Sequence, residues 1–183
     1  IDTIWHIQDE FDLKIHTGDS SLDVIVNYYL YLAAKENIDF AVSGKLTGKM
    51  GLEMFDITIL MGNILQNSME AAVQTVTPEI QVELIEHKKE IFIVVSNSVV
   101  EKISQPKGFL MTSKADTANH GFGLQNIAAT VEKYSGEYYT ESIVENGKAV
   151  FRISIAIPKD GVQKNTIPKD KRRTGYENMY CGR

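Results

Sequence analysis

A long helical pattern from Glu53 to Val76 is followed almost at once by two stretches of strand-like sequence, and this order limits the folds open to the chain. Thr77-Pro78 ends the helical pattern, because proline disfavours helical geometry in the residue before it. Apolar and polar residues alternate from Ile80 to Glu86, and a short apolar run extends from Ile91 to Val95. Both patterns indicate strands, joined by a turn at residues 87–90.

The rest of the chain extends this order at both ends. Upstream, we predict a helix from Leu22 to about Asn37, capped by Ser20 or Ser21, and a strand from Ile38 to Val42. Downstream, residues 97–120 show no periodicity and are interpreted as a binding loop or lid. The last predicted elements are a helix at Gly123 to Tyr134 and strands at Gly136 to Ser142 and Ala149 to Ile157. This order predicts an α+β fold, a two-layer sandwich with a mixed sheet and helices on one face.

Composition is that of one globular domain. The 183 residues are 43% hydrophobic and 23% charged, and no apolar run approaches the about 18 residues that a membrane helix needs. A single cysteine, Cys181, excludes an internal disulfide and a cysteine-based zinc site, and is typical of a reducing compartment. The chain starts at Ile1 without a signal-peptide pattern, so we interpret it as a fragment whose residues 1–19 come from a preceding region.

The net charge of −5 is unevenly distributed. From Pro158 onward, seven basic and three acidic side chains give a net charge of +4, which leaves −9 on the preceding body. An acidic body argues against nonspecific binding of nucleic acid, and it would need a divalent cation to bind a polyanion such as ATP. The basic tail at 159–183 is interpreted as a solvated linker rather than as a nucleic-acid or membrane patch.

One face of the long helix carries a polar stripe. Its members recur at helical spacing: Asp56, Asn63, Asn67, Glu70 and Gln74. The residues expected to anchor the opposite face are Met54, Ile57, Met61, Leu65 and Ala72. A merely solvated face would favour Lys and Glu, since asparagine costs a few tenths of a kcal/mol in helix propensity. Amide oxygens suit Mg²⁺, so the stripe is either a solvated face or a metal-binding face.

A second motif, Gly121-Phe122-Gly123-Leu124, joins the long loop to the next helix. Glycines let backbone N–H groups approach phosphates, and a helix N-terminus favours negative charge. The same pattern is also that of a simple helix start. Its position after a long aperiodic loop favours the phosphate-binding interpretation.

Together the motifs resemble the superfamily of gyrase, chaperone, histidine kinase and mismatch-repair ATPases, and most closely the catalytic domain of sensor histidine kinases. Asn63-Ile64-Leu65-Gln66-Asn67-Ser68 is similar to the family's N box, N-L-L-x-N-A, and Gly121 to Leu124 to its glycine box, G-x-G-L. The segments Thr112-Ser113-Lys114, Asn119-His120-Gly121 and Thr17 to Asp23 resemble the quorum-sensing kinases of the accessory gene regulator type. The resemblance covers roughly residues 17–158.

The resemblance implies the Bergerat ATP-binding fold over residues 20–158, with a lid at about 98–122. It implies that Asn67 holds Mg²⁺ and that Asn63 supports the phosphates or the metal, which makes both catalytic. The residues expected to contact Mg-ATP are Asn63, Asn67, Glu70, Asn97, Thr112, Ser113, Lys114, His120, Gly121, Phe122, Gly123 and Leu124. The lid is expected to be mobile without nucleotide and to close over the γ-phosphate.

Two features depart from the family pattern, and a third position, Asn63 of the N box, distinguishes between functions. The D-x-G-x-G motif that reads adenine is missing; Asn97 stands in its region, either reading adenine or ending the strand in a turn. Ala71 and Ala72 replace the basic or aromatic residue after the N box, so Lys114 either contacts phosphate instead or is solvated. Asn63 occupies the position of the water-activating glutamate of hydrolytic members. It cannot act as a general base at neutral pH, which favours transfer over hydrolysis.

No histidine here has the acceptor context of the family, a following acid and then an asparagine. The resemblance therefore implies that the acceptor lies upstream of Ile1, and that His120 either contacts nucleotide or is a satisfied lid histidine. The implied function is phosphoryl transfer in a peptide-sensing two-component system. The implied partners are upstream dimerisation and phosphoacceptor helices and a response regulator, with no nucleic acid. The whole protein would be a membrane-anchored homodimer with this domain in the cytoplasm. The alternatives are a protein-serine kinase of the anti-sigma-factor kind and a pseudokinase scaffold.

Overall fold

The computed structural model describes residues 14–102 and 122–159. These residues form helices and strands in the predicted order, here named α1 (Ser20–Lys35), β1 (Asp39–Ser43), α2 (Met54–Ala72), β2 (Glu79–Glu86), β3 (Glu90–Ser98), α3 (Phe122–Lys133), β4 (Glu137–Glu145) and β5 (Lys148–Pro158). The predicted α+β class is confirmed. Among the described helices, none combines the length and apolar character needed to cross a membrane.

The five strands form one mixed sheet in the order β1-β2-β3-β5-β4. β1 pairs with β2 in parallel, with α2 crossing between them, and every other neighbouring pair is antiparallel. The turn between β4 and β5 has positive φ at Asn146 and Gly147, as a tight type I′ hairpin requires. The pairing of β3 with β5 connects the N-terminal strands β1–β3 to the C-terminal strands β4 and β5 within the sheet.

One face of the sheet and the three helices enclose the hydrophobic core. Alternate residues of β2, β3 and β5 point into it, and all nine are buried: Ile80, Val82, Leu84, Ile91, Ile93, Val95, Ile153, Ile155 and Ile157. The helices cover them with Leu22 and Val26 of α1, Leu60, Ile64 and Leu65 of α2, and Ile127 and Val131 of α3. The helices are thus confined to one layer, and α2 and α3 lie side by side within it.

Three predictions about the helices are wrong. The N-cap of α1 is Asp19, whose Oδ1 accepts hydrogen bonds from the backbone N–H groups of Ser21 and Leu22, instead of Ser20 or Ser21. Helix α2 ends at Ala72 rather than Val76, and the Thr75 hydroxyl binds the Ala72 carbonyl there. Met54 was expected to anchor α2, but it is 60% exposed because it lies in the first turn, beyond the edge of the core.

Glu86, the last residue of β2, contacts both the loop after β1 and the residue after β5. Its carboxylate accepts hydrogen bonds from the Thr47 backbone N–H (2.6 Å) and hydroxyl (2.9 Å), and Lys159 Nζ lies 2.6 Å from its Oε1. The hydrogen bond with Lys159, followed by those from Thr47, lowers the pKa of Glu86 from its ordinary 4.5 to about 2. The loop after β1 and the residue after β5 are therefore held to the sheet by one charged side chain.

Replacing Glu86 by glutamine should lower stability in a pH-dependent way. Because folding lowers this pKa, the charged carboxylate stabilises the fold above about pH 4.5, and that stabilisation is lost as the pH falls towards 2. We expect the wild type to exceed Glu86→Gln in free energy of unfolding at neutral pH, with the difference shrinking between pH 4.5 and 2. Urea unfolding at a series of pH values measures it. A difference that does not change with pH would contradict this account.

Candidate functional site

Asn63 and Asn67 of α2 lie against Gly123 in the first turn of α3. A Cβ added at Gly123 would stand 3.2 Å from Asn67 Nδ2, 3.4 Å from Asn63 Oδ1 and 3.6 Å from Asn67 Oδ1. The buried residues of α2 fix its opposite face in the core, which turns the asparagines towards the start of α3. The two motifs singled out in the sequence thus meet, and any side chain at Gly123 would fill the space between the two amides.

The two asparagines differ in how their amides are held. Asn63 Nδ2 donates to the Ile59 carbonyl one turn earlier, at 2.6 Å, which leaves Oδ1 directed away from its own helix towards Gly123. Asn67 is exposed, and within the described part of the chain its amide has no hydrogen-bond partner. One amide is therefore oriented in advance, and the other is free to turn towards a ligand.

The N-terminus of α3 adds an electrostatic field that favours an anion. Gly123 is the second residue of this helix, where backbone N–H groups lack partners within the helix and the helix dipole favours an anion. Leu124 packs against the core and holds this turn in place. Phosphate oxygens in this position would meet N–H donors from α3 and amide groups from α2.

The oxygen donors fit a hard cation that is also bound by phosphates. Across residues 14–102 and 122–159, no group of three or more His, Cys, Asp or Glu side chains is arranged to hold a metal ion. Within the described residues, this site offers a cation the amide oxygens of Asn63 and Asn67, to be shared with ligand oxygens. Mg²⁺ suits such a site, because it keeps several waters and takes few protein ligands.

Glu70 and Gln74, the last two members of the polar stripe, are exposed and make hydrogen bonds along α2. Glu70 Oε1 accepts from Gln66 Nε2 at 2.7 Å, and its carbonyl accepts from Gln74 Nε2 at 3.0 Å. Neither hydrogen bond points to a ligand. Glu70 as a nucleotide contact stays a prediction.

Asn97 stands near the end of β3, on the face of the sheet that the helices cover. It pairs in register with Ile80 and Phe151, is 4% exposed, and donates from Nδ2 to the Ser98 carbonyl at 2.9 Å. It also lines a cavity of about 180 Å³ at the ends of β2, β3 and β5, whose described lining contains neither Asn63 nor Asn67. The strand-end hydrogen bond agrees with a turn role, and Asn97 as an adenine contact stays a prediction.

The remaining predicted contacts fall on the part of the chain between the described ranges. Thr112, Ser113, Lys114, His120 and Gly121 lie outside the described residues, as does most of the predicted lid. For Phe122 only the backbone is described, as the first residue of α3. The basic tail beyond Lys159 is outside as well.

Sequence reasoning missed a buried polar contact at the other end of these helices. Asp56 was placed in the polar stripe, interpreted as a solvated or a metal-binding face, but it is 6% exposed and belongs to neither. Its Oδ2 accepts hydrogen bonds from the Tyr134 hydroxyl (2.5 Å) and Lys133 Nζ (2.6 Å). The Tyr134 oxygen in turn accepts from the Glu53 N–H at 3.0 Å. The Asp56 hydrogen bond raises the pKa of Lys133, and burial, then the same carboxylate, raises the pKa of Tyr134. Both groups therefore stay protonated at neutral pH.

Comparisons with known proteins show which family model and which solved structures the chain is similar to. Residues 52–158 match the family model of the GHKL domain. Among solved structures, the chain is similar to the catalytic domain of histidine kinase ThkA, with a TM-score of 0.57 and 19% identity over 76% of this chain and 91% of that one. It is also similar to the mycobacterial sensor histidine kinase MprB, with a TM-score of 0.53 and 15% identity over 73% and 93%. At these identities the likeness shows a shared fold. No curated protein matches the sequence.

Proposed function

Since this chain belongs to the GHKL domain family, we propose that it is the ATP-binding catalytic domain of a sensor histidine kinase. It would transfer the γ-phosphoryl group of Mg-ATP to a histidine outside this sequence, in a two-component and peptide-sensing system. The observation that carries the proposal is the contact of Gly123 with the amides of Asn63 and Asn67. That contact supports a phosphate site with donors on one side and oxygen ligands on the other.

Each residue would have a defined task. Asn67, whose amide has no hydrogen-bond partner among the described residues, would hold Mg²⁺. Asn63, with its oxygen already directed to the site, would support the metal or the phosphates. The bound Mg²⁺ would neutralise triphosphate charge, which matters because the body of the chain carries a net −9. The N–H groups at the start of α3 would bind phosphate oxygens and orient the nucleotide.

The same residues favour transfer to an external acceptor. Phosphoryl transfer needs positioning and charge stabilisation more than covalent chemistry from the protein. Neither asparagine can remove a proton from water at neutral pH, so bound ATP would be protected from hydrolysis. None of the four histidines has an acceptor sequence context, so the phosphoryl group would leave for another polypeptide segment.

The reaction can be tested in trans with labelled ATP. We expect this domain with Mg²⁺ neither to label itself nor to hydrolyse ATP quickly, but to label a separate fragment carrying the upstream histidine helices. The new bond should be acid-labile and base-stable, as in phosphohistidine. High protein concentrations are needed, because unlinked domains lose the effective concentration that a linker provides.

Two controls make this test decisive. An acceptor fragment with its histidine replaced should stay unlabelled, and so should the intact fragment mixed with an Asn67→Ala domain. Label on serine would favour the anti-sigma-factor kind of kinase, and a domain that binds no nucleotide would favour a scaffold. Brisk hydrolysis without acceptor would contradict the assignment of Asn63.

A further inference from the structure

Helices α2 and α3 touch at two separate places. At one, Gly123 in the first turn of α3 lies against Asn63 and Asn67 of α2. At the other, Lys133 and Tyr134 at the end of α3 contact Asp56 in the first turn of α2. The two helices are therefore antiparallel, and α3 rises about 15 Å from Gly123 to Lys133 at 1.5 Å per residue.

Of the two contacts, only the one at Asp56 consists of hydrogen bonds, which fix the position of α3 along α2. Between the two places lie buried apolar side chains, among them Ile127 and Val131 of α3, and the hydrophobic attraction between such surfaces is non-directional. The Asp56 carboxylate, in contrast, has two donors, Lys133 at the end of α3 and Tyr134 directly after it, and hydrogen bonds require defined geometry. A shift of α3 along α2 would break them and leave a buried carboxylate without partners.

The tyrosine also completes the start of α2. Glu53 is the N-cap of this helix, but its side chain makes no capping hydrogen bond. Its backbone N–H donates instead to the Tyr134 oxygen at 3.0 Å, while the same hydroxyl donates to Asp56. Tyr134 is 1% exposed, so this hydroxyl links the beginning of α2 to the end of α3 in the interior of the fold.

We propose that Asp56 and Tyr134 are positioning residues of the nucleotide site, which set the register of α3 on α2 and thereby hold Gly123 against Asn63 and Asn67. Because a helix is stiff, a displacement at its last turn is carried to its first. This inference rests on the proposed function for its consequence, nucleotide binding. Its geometric part, the placement of Gly123, holds whatever the ligand is.

The test compares Tyr134→Phe and Asp56→Asn with Tyr29→Phe. The control also loses a buried tyrosine hydroxyl between two helices, since Tyr29 donates to the Gly62 carbonyl at 3.0 Å, but it joins α1 to α2 and leaves α3 untouched. In the nucleotide-free protein, we expect the NMR signals of the Gly123 backbone amide and the Asn67 side-chain amide to shift in the two test variants. In Tyr29→Phe they should stay in place.

Mg-ATP affinity provides the second measurement, taken at a temperature where every variant is folded. We expect Tyr134→Phe and Asp56→Asn each to weaken binding about tenfold, since small misplacements of a site carry large costs, and Tyr29→Phe to bind as the wild type does. The double variant Asp56→Asn/Tyr134→Phe should lose little more than the worse single variant, because both act through one contact. If Asp56→Asn does not fold, Lys133→Met takes its place.

The outcomes separate this proposal from the proposed function. A wild type that binds Mg-ATP, with test variants that bind equally well and unshifted Gly123 and Asn67 signals, would overturn the positioning role and leave the function standing. A wild type that binds no nucleotide would overturn the function, while the NMR comparison would still decide the positioning role. Equal shifts in Tyr29→Phe would mean that any weakened helix contact disturbs the site, which also overturns the proposal.

Discussion

Replacing Asn67 by alanine should remove Mg²⁺-dependent nucleotide binding while the fold remains intact. Asn67 is exposed, and within the described part of the chain it has no hydrogen-bond partner to lose. Alanine is the better helix former, so α2 should be slightly stabilised. Loss of a metal ligand from a body with a net charge of −9 should weaken Mg-ATP binding at least about 100-fold, since even supporting residues around a metal contribute 10–100-fold.

Calorimetric titration with ATP, with and without Mg²⁺, measures this effect, and circular dichroism reports the fold. The matched control is Gln66→Ala, the exposed neighbour on the same helix, which among the described residues loses a surface hydrogen bond to Glu70. We expect the control to bind Mg-ATP as the wild type does. If Asn67→Ala kept both the affinity and the magnesium dependence, Asn67 would not be the metal ligand.

Gly123→Ala should weaken Mg-ATP binding while changing the stability of the fold little. The new Cβ would stand 3.2 Å from Asn67 Nδ2 and 3.4 Å from Asn63 Oδ1, so the amides would have to move apart and the space between them would be filled. Alanine in a helix stabilises by up to about 1 kcal/mol relative to glycine, which offsets much of this crowding. We therefore expect the melting temperature to change little, while Mg-ATP affinity falls roughly tenfold or more.

Gly62→Ala provides the control for this prediction. Gly62 lies in α2 next to Asn63, but none of the described residues stands within 4 Å of a Cβ added there. This variant should gain helix stability and keep its nucleotide affinity. Thermal melting and the same titration compare the two variants. Wild-type affinity in Gly123→Ala would mean that the ligand does not use the space between the asparagines and α3.

The order of elements could be predicted from the sequence because it depends on local periodicity. Alternation in β2 and the helical stripe of α2 each follow from residues within one element. The predicted N-cap of α1 was wrong because Ser20 and Ser21 also have side chains suited to capping, while the residue that caps the helix is Asp19. Asp19 binds the first turn of α1 and, through Oδ2, the Met50 N–H from a loop far along the chain, a contact that local sequence does not reveal.

At the site, too, the features within one motif could be predicted, whereas contacts between distant parts of the chain could not. The resemblance placed Asn63, Asn67 and Gly123 around one ligand, because all three belong to its ordered motifs. Asp56 was misjudged because its partners, Lys133 and Tyr134, lie at the end of another helix, and helical spacing placed its carboxylate with the exposed stripe. Spacing identifies a shared face, but the burial of each residue on that face depends on which element covers it.

The pairing of β3 with β5 has a consequence for the order of folding. Each hairpin, β2–β3 and β4–β5, joins strands that are neighbours in sequence, whereas Asn97 meets Phe151 only after a long loop has closed. Loop closure costs entropy before the new contacts form, so distant pairings are slow. Asn63 and Asn67 precede the segment that joins Asn97 to Phe151, and Gly123 lies within that segment. The nucleotide site should therefore be completed late, and a bound nucleotide should slow unfolding more than it speeds folding.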